Sequence, residues 1–171
     1  MRPVGYLVKD TVLRGERGSH FDYVLAGNGL FIEAEGELMA ARALVTPTEV
    51  RGLAPLQPRL VLRHGRIPAG LFDAAIGRME EQPDKEMYVA FYWTGDEYRL
   101  HIPVQQQSAT KVEYARKDGT VLDLHSHGKL HAFFSGTDNQ DEMGFQVYGV
   151  VGNLPDTRVV LRFGIYGYHQ T

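Results

Sequence analysis

Across one proline the hydrophobic rhythm of this chain changes, and that change restricts what it can fold into. From Pro68 to Glu81, the residues Leu71, Phe72, Ala75, Ile76 and Met79 recur at spacings of one, three and four, which is the stripe of an amphipathic helix. Pro68 suits a first helical turn, where its missing N–H costs nothing, and Pro83 stops the helix. The period then falls to two. Met87, Val89, Phe91 and Trp93 alternate with Glu86, Tyr88, Ala90 and Tyr92, as in a strand whose successive side chains face opposite ways. The first set is the expected core face, so Glu86 is expected to point the other way. A helix running straight into such a strand asks for a helix packed on a sheet.

The rest of the chain supplies that sheet. Residues 1–66 read as strands and turns. "FDYVLAGNGLFIEAEGEL" predicts a hairpin turning at Asn28-Gly29, and "RLVLRHG" (59–65) a short strand, with Pro47, Pro55, Pro58 and Pro68 as punctuation. After residue 93, "YRLHIPVQ" (98–105) predicts a strand. "KVEYARKDGTVLDLHSH" predicts a hairpin turning at Asp118-Gly119, and Ser135 opens a short helix ending near Gly144. Two last strands, "FQVYGVVG" and "RVVLRFGIYGYH", are separated by "NLPDT". The expected fold is α/β: a domain over 67–171 with helices packed on a mixed sheet, preceded by a β-rich accessory segment over 1–66.

Composition narrows the function. The 171 residues are enough for one domain with an appendage. A net charge of −3 without a basic run gives no electrostatic case for nucleic acid. With no cysteine, disulfides, thiolate zinc sites and cysteine nucleophiles are excluded, so any metal must be held by nitrogen and oxygen. The longest apolar run, Met87 to Trp93, is too short to cross a bilayer, and the first residues lack a signal-peptide core. A cytoplasmic location and no membrane partner are therefore expected.

The chemistry concentrates in "LDLHSHGKLHAFFSGTDNQDE", residues 122–142. On a strand, Val121, Asp123, His125 and His127 share one face, so two imidazoles at i and i+2 can converge on one ion. Asp138 follows in the next helix. Two nitrogens and a carboxylate oxygen, with a fourth position for water, match a catalytic zinc site. Ser135 and Asp138 also fit a capping box, which accounts for both without any metal. The two explanations are compatible, because a capped helix can aim Asp138 at the ion. His131 in the intervening loop is expected to be exposed, His101 to pack in or beside the sheet, and Asp123 to be a solvated strand residue.

The complete pattern, H-x-H-x7-S-x2-D, resembles the JAMM motif of the JAB/MPN metalloproteases, whose fold is similar to that of cytidine deaminases. His125, Ser126, His127, Ser135 and Asp138 fall on it without gaps. Within that superfamily "HSHGKLHAFFSGTDNQDE" looks most like the prokaryotic JAB branch, in particular the PRTRC system protein A type, found in cassettes with a ThiF/E1-like protein. The resemblance covers about residues 67–171. It implies a catalytic glutamate where the long helix gives way to a strand, which is Glu86 here, with Glu80 and Glu81 as competitors at the helix end. Two departures stand out: Met87, Tyr88 and Val89 follow Glu86 where glycine is frequent, and Gly128 stands where many relatives have proline.

The resemblance implies amide hydrolysis. Zinc (Zn2+) on His125, His127 and Asp138 would activate water, Glu86 would act as general base, and Ser135 would donate to the oxyanion. The implied substrate is a ubiquitin-like modifier or its conjugate, cut at an isopeptide bond or C-terminal extension. Two other classes compete. One is a non-catalytic binding module for a ubiquitin-like protein or its E1/E2-like partner. The other is a cupin-like barrel, which would want a glutamate where His131 or Ala132 stands.

Overall fold

The computed structural model describes residues 2–103, 106 and 107, 112 and 113, and 117–171. The chain divides into two compact units. One comprises Met1–His64 with Met143–Phe145 and Phe163–Gln170; the other comprises Gly65–Glu142 with Gln146–Arg162 and Thr171.

The first unit contains strands β1 (Val4–Lys9), β2 (Leu13–Glu16), β3 (Phe21–Ala26), β4 (Gly29–Glu35), β5 (Met39–Pro47) and β6 (Arg59–Leu62). They form a six-stranded sheet in the order β2-β1-β3-β4-β5-β6, parallel between β1 and β3 and antiparallel elsewhere. Leu7, Val24, Ala26, Phe31 and Leu56 make a core cluster, with Leu13 and Leu44 against it. Buried charges here are paired: Asp22 and Glu33 share Arg17, and Glu33 also meets Arg42 at 2.7 Å. The first hairpin turns at Gly27-Asn28, one residue earlier than expected, because Ala26 already pairs with Gly29. Asn28 is fixed elsewhere: its amide donates to the Leu56 carbonyl and its Oδ1 accepts from the Leu56 N–H, both at 2.8 Å.

The second unit opens with helix α1 (Ala69–Glu80), capped by Pro68, followed by β7 (Tyr88–Trp93) and β8 (Tyr98–His101). In chain order there follow β9 (Gln106–Gln107), β10 (Val112–Glu113), β11 (Thr120–Ser126), helix α2 (Gly136–Asp141), β12 (Phe145–Gly152), β13 (Arg158–Ile165) and β14 (Tyr168–Gln170), of which β14 and the last residues of β13 belong to the first unit. The second sheet runs β14-β13-β12-β11-β7-β8, with β9 and β10 pairing separately. It is mixed: β11 runs parallel to β12 and antiparallel to β7. The molecule is therefore strand-rich, with two helices among the described residues, so it is less helical than an evenly layered α/β design.

Three local expectations are corrected. "RVVLRFGIYGYH" is two strands, turned by Tyr166 (φ 48°) and Gly167 (φ 91°), the positive-φ pair that a two-residue hairpin favours. Asp118-Gly119 does turn, with Gly119 at φ 76°. The arm before it falls partly outside the described residues, as does the end of the expected strand 98–105, and its described part, β10, pairs with β9. Finally, β7 has no exposed face at its start: Met87, Tyr88, Val89, Ala90 and Phe91 are all buried. The polar alternation expected there fails because both faces of β7 are covered at this point, one of them by α1 through Phe72 on Phe91. Among the described residues no helix is long and apolar enough to cross a membrane.

Helix α1 is anchored through Ala75 and Met79, both fully buried, and through Phe72, stacked on Phe91 with centroids 6.0 Å apart. Met79→Ala should therefore cost about 2–5 kcal/mol in a urea unfolding titration. A loss under about 1 kcal/mol would mean that α1 is not anchored this way.

Candidate metal centre

The extended backbone of β11 builds the centre. His125 pairs with Val150 on one side and Tyr88 on the other, and beyond the strand the His127 N–H still donates to the Val151 carbonyl at 2.7 Å. With both flanks bonded, the alternation predicted for His125 and His127 is enforced. Their Nε2 atoms lie 3.2 Å apart. Asp138 comes from α2, and its Oδ1 is 3.4 Å from His125 Nε2. Ligand atoms of His125, His127 and Asp138 all lie within 4.8 Å of one another, the one such trio among the described residues.

Those separations test whether a metal fits. With zinc bonds of roughly 2.0–2.1 Å, the edge between two tetrahedral ligands is about 3.3 Å. The observed 3.2 and 3.4 Å bracket that edge. The donor set is nitrogen and oxygen only, as zinc accepts. Burial, partly opposed by the Asp138 charge and reinforced by His127 and Arg162, pulls the His125 imidazole down to about 4. His125 is thus neutral at physiological pH, the form a metal ligand needs. The residues fit the ion.

Asp138 serves two functions at once. The Ser135 hydroxyl accepts from the Asp138 N–H at 3.2 Å, and Asp138 Oδ2 accepts from the Ser135 N–H at 2.5 Å. This is the predicted capping box. It occupies Oδ2 and leaves Oδ1 toward His125, so cap and ligand do not compete.

Ser126, between the histidines, is fully buried and ties the centre to the segment before β7. Its hydroxyl accepts from the Met87 N–H at 3.0 Å and lies 3.5 Å from the Lys85 carbonyl, while its own N–H donates to the Met87 carbonyl at 2.8 Å. Glu86 sits between those two contacts. Pairing therefore continues ahead of the start of β7, and Glu86 lies within electrostatic reach of His127 and Asp138. Desolvation raises the Glu86 carboxyl above its ordinary value; the charge of His127 lowers it and that of Asp138 raises it. Glu80 and Glu81 are exposed on the helix end, where Glu80 accepts from Thr157 and Glu81 pairs with Arg78.

Gly128 follows the second histidine at φ 57°, and a Cβ there would lie 2.2 Å from the Pro83 carbonyl oxygen. Proline, fixed near φ −65°, cannot adopt this conformation, and any side chain here would meet Pro83. His131 is exposed, with Nδ1 3.1 Å from the Asn153 amide, and is not drawn into the trio. His101 lies on β8 with its ring edge-on to Tyr92.

Sequence reasoning missed the polar layer around the trio. Asp123 is buried, not solvated, and accepts from Tyr88 Oη and the Gln146 amide. Arg162 and Glu142 are buried together, and burial pushes the Glu142 carboxyl up to about 7 although Arg162 pulls it down. The available signal for Asp123 was its shared parity with His125; for Arg162 there was none, since it alternates with Leu161 and Phe163 as a solvated residue would.

A mixed sheet carrying a two-histidine, one-aspartate cluster at metal-ligand separations defines the class of this domain. Residues 71–163 match the family model of prokaryotic homologs of the JAB domain, more than half of the chain, and the chain belongs to this family within the JAB/MPN superfamily. The match sets the cupin alternative aside. The JAB family includes metalloproteases, and its prokaryotic members include non-catalytic ones. No curated protein matches the chain.

The purified protein should carry one zinc per chain by elemental analysis. His125→Ala, His127→Ala and Asp138→Ala should each lose it, and His131→Ala should keep it. Loss in His131→Ala with retention in Asp138→Ala would mean that the ligand set is different.

Proposed function

We propose that the protein is a zinc-dependent peptidase or isopeptidase that hydrolyses an amide at the C-terminus of a ubiquitin-like modifier. The observation that carries this reading is the convergence of His125, His127 and Asp138 at tetrahedral-edge separations, with Glu86 within electrostatic reach of His127 and Asp138. Zinc in such a site supplies Lewis acidity, which acidifies water and polarises a carbonyl. The chain's own residues do the rest. Glu86 takes a proton from the attacking water and delivers it to the departing amine nitrogen. A carboxyl raised above its ordinary value returns a proton near neutral pH more readily than a solvated one. Ser135 Oγ accepts from the Asp138 N–H, which leaves its own proton to donate to the oxygen where negative charge develops.

Within the family we assign the chain to the PRTRC system protein A type, on the stretch "HSHGKLHAFFSGTDNQDE". That assignment makes a ThiF/E1-like protein the natural partner, acting on the same modifier, with residues 1–66 an accessory element that binds substrate, docks the partner or only completes the sheet. It also favours a cytoplasmic location.

Glu86→Gln keeps shape and hydrogen bonding, so it should retain zinc and fold while cleavage of a ubiquitin-like conjugate falls about a hundred- to ten-thousand-fold. Wild-type cleavage in Glu86→Gln with loss in Glu81→Gln would place the base on the helix end. A zinc-loaded wild type that cleaves no modifier from its own genetic cassette would favour the binding module.

A further inference from the structure

The helix that carries Asp138 has little to hold it. Gly136–Asp141 reads GTDNQD, whose glycine, threonine, aspartates and asparagine are weak helix formers, and none of the six residues is buried. Its capping box joins Ser135 to Asp138, both at the helix start, so it shapes the first turn without fixing the helix to the sheet. Yet Asp138 Oδ1 must stay beside His125, at the 3.4 Å observed, for the trio to exist.

The anchor comes from β13. Arg162 is 7% exposed, the one buried arginine among the described residues. Its Nε donates to Glu142 Oε2 at 2.8 Å, Nη2 lies 2.7 Å from the same oxygen, and Nη1 donates to Asn139 Oδ1 at 2.6 Å. The guanidinium also lies over the Phe134 ring, 3.8 Å from its centroid. These three partners bracket the functional residues. Phe134 immediately precedes Ser135, Asn139 immediately follows Asp138, and Glu142 is the C-cap of α2. The grip depends on a planar fork with several donors and a stacking face, which lysine does not offer.

We propose that Arg162 is a positioning residue of the metal centre: it clamps α2 from Phe134 to Glu142 and so holds Asp138 in ligand position. The inference rests on the metal reading given above. Its effect is on zinc affinity, because partners that orient metal ligands typically change affinity by about 10- to 100-fold.

Zinc dissociation constants should be measured by chelator competition on the full chain, well below the melting temperature of each protein, with the melting temperature of the metal-free form as a second readout. Arg162→Lys keeps the charge and loses the fork, and should weaken zinc by about 10- to 100-fold. Asn139→Ala alters an exposed residue and raises the helix propensity of α2, so a purely local effect on the helix would leave zinc binding equal or tighter. The clamp predicts weaker binding in this variant too, with a metal-free melting temperature close to wild type. If Arg162→Lys melts earlier but binds zinc as wild type does, or if Asn139→Ala binds zinc as tightly as wild type or more tightly, Arg162 is a fold-stabilising residue only and the inference is overturned. A wild type that takes no zinc overturns the metal reading itself, and this inference with it.

Discussion

The metal centre depends on one constraint: the backbone from Asp123 to His127 is held on both sides. β12 pairs with it in parallel and β7 antiparallel, and the bonds of Ser126 and His127 continue both ladders beyond the formal strand end. A one-residue slip would turn both imidazoles to the opposite face, so the two-sided pairing is what makes H-x-H a converging pair. The same ladder brings Glu86 to the site. A side chain that looks like an ordinary filler between two ligands, Ser126, bonds the neighbours of Glu86 and transmits the register of one strand to the next.

The second contribution is a carboxylate with divided duties. Asp138 gives Oδ2 to the helix cap and Oδ1 to the trio, so the hydrogen bond that starts α2 also fixes the rotamer of the ligand. In such an arrangement the local rule for helix initiation and the geometric demand of the ion are met by the same atoms. Around this sits a layer of polar contacts in which Tyr88 and the partly buried Gln146 meet buried Asp123, and buried Arg162 meets Glu142 and the exposed Asn139. Buried polar groups are costly unless partnered, and here the partners come from five elements (β7, β11, β12, β13 and α2 with its C-cap), which ties those elements together.

The parts of the fold that were legible in the sequence are those governed by local periodicity and by turn chemistry. The 3.6-residue stripe gave α1 to within a residue or two, and Ser135 with Asp138 gave the start of α2 and its cap. The trio was legible because strand parity and a fixed spacing determine it. What escaped was set by long-range pairing. Tyr88, Ala90 and Asp123 look half-exposed by alternation, and are buried because both faces of the sheet are covered at β7 and β11. Arg162 is the extreme case: alternation would put Leu161 inside and Arg162 out, whereas Leu161 is exposed and Arg162 buried, since its partners lie about twenty residues away in α2 and its C-cap. The Tyr166-Gly167 turn escaped because a tyrosine with positive φ is an uncommon turn residue.

The central claim is that two imidazoles and one carboxylate, with no third histidine, hold a single zinc ion. X-ray absorption at the zinc edge of the purified, zinc-loaded protein tests it most directly. The account predicts a first shell of nitrogen and oxygen at about 2.0–2.1 Å, with outer-shell scattering from two imidazole rings and no sulfur. Scattering from three imidazoles, or a six-oxygen hydrated shell without imidazole, would contradict it.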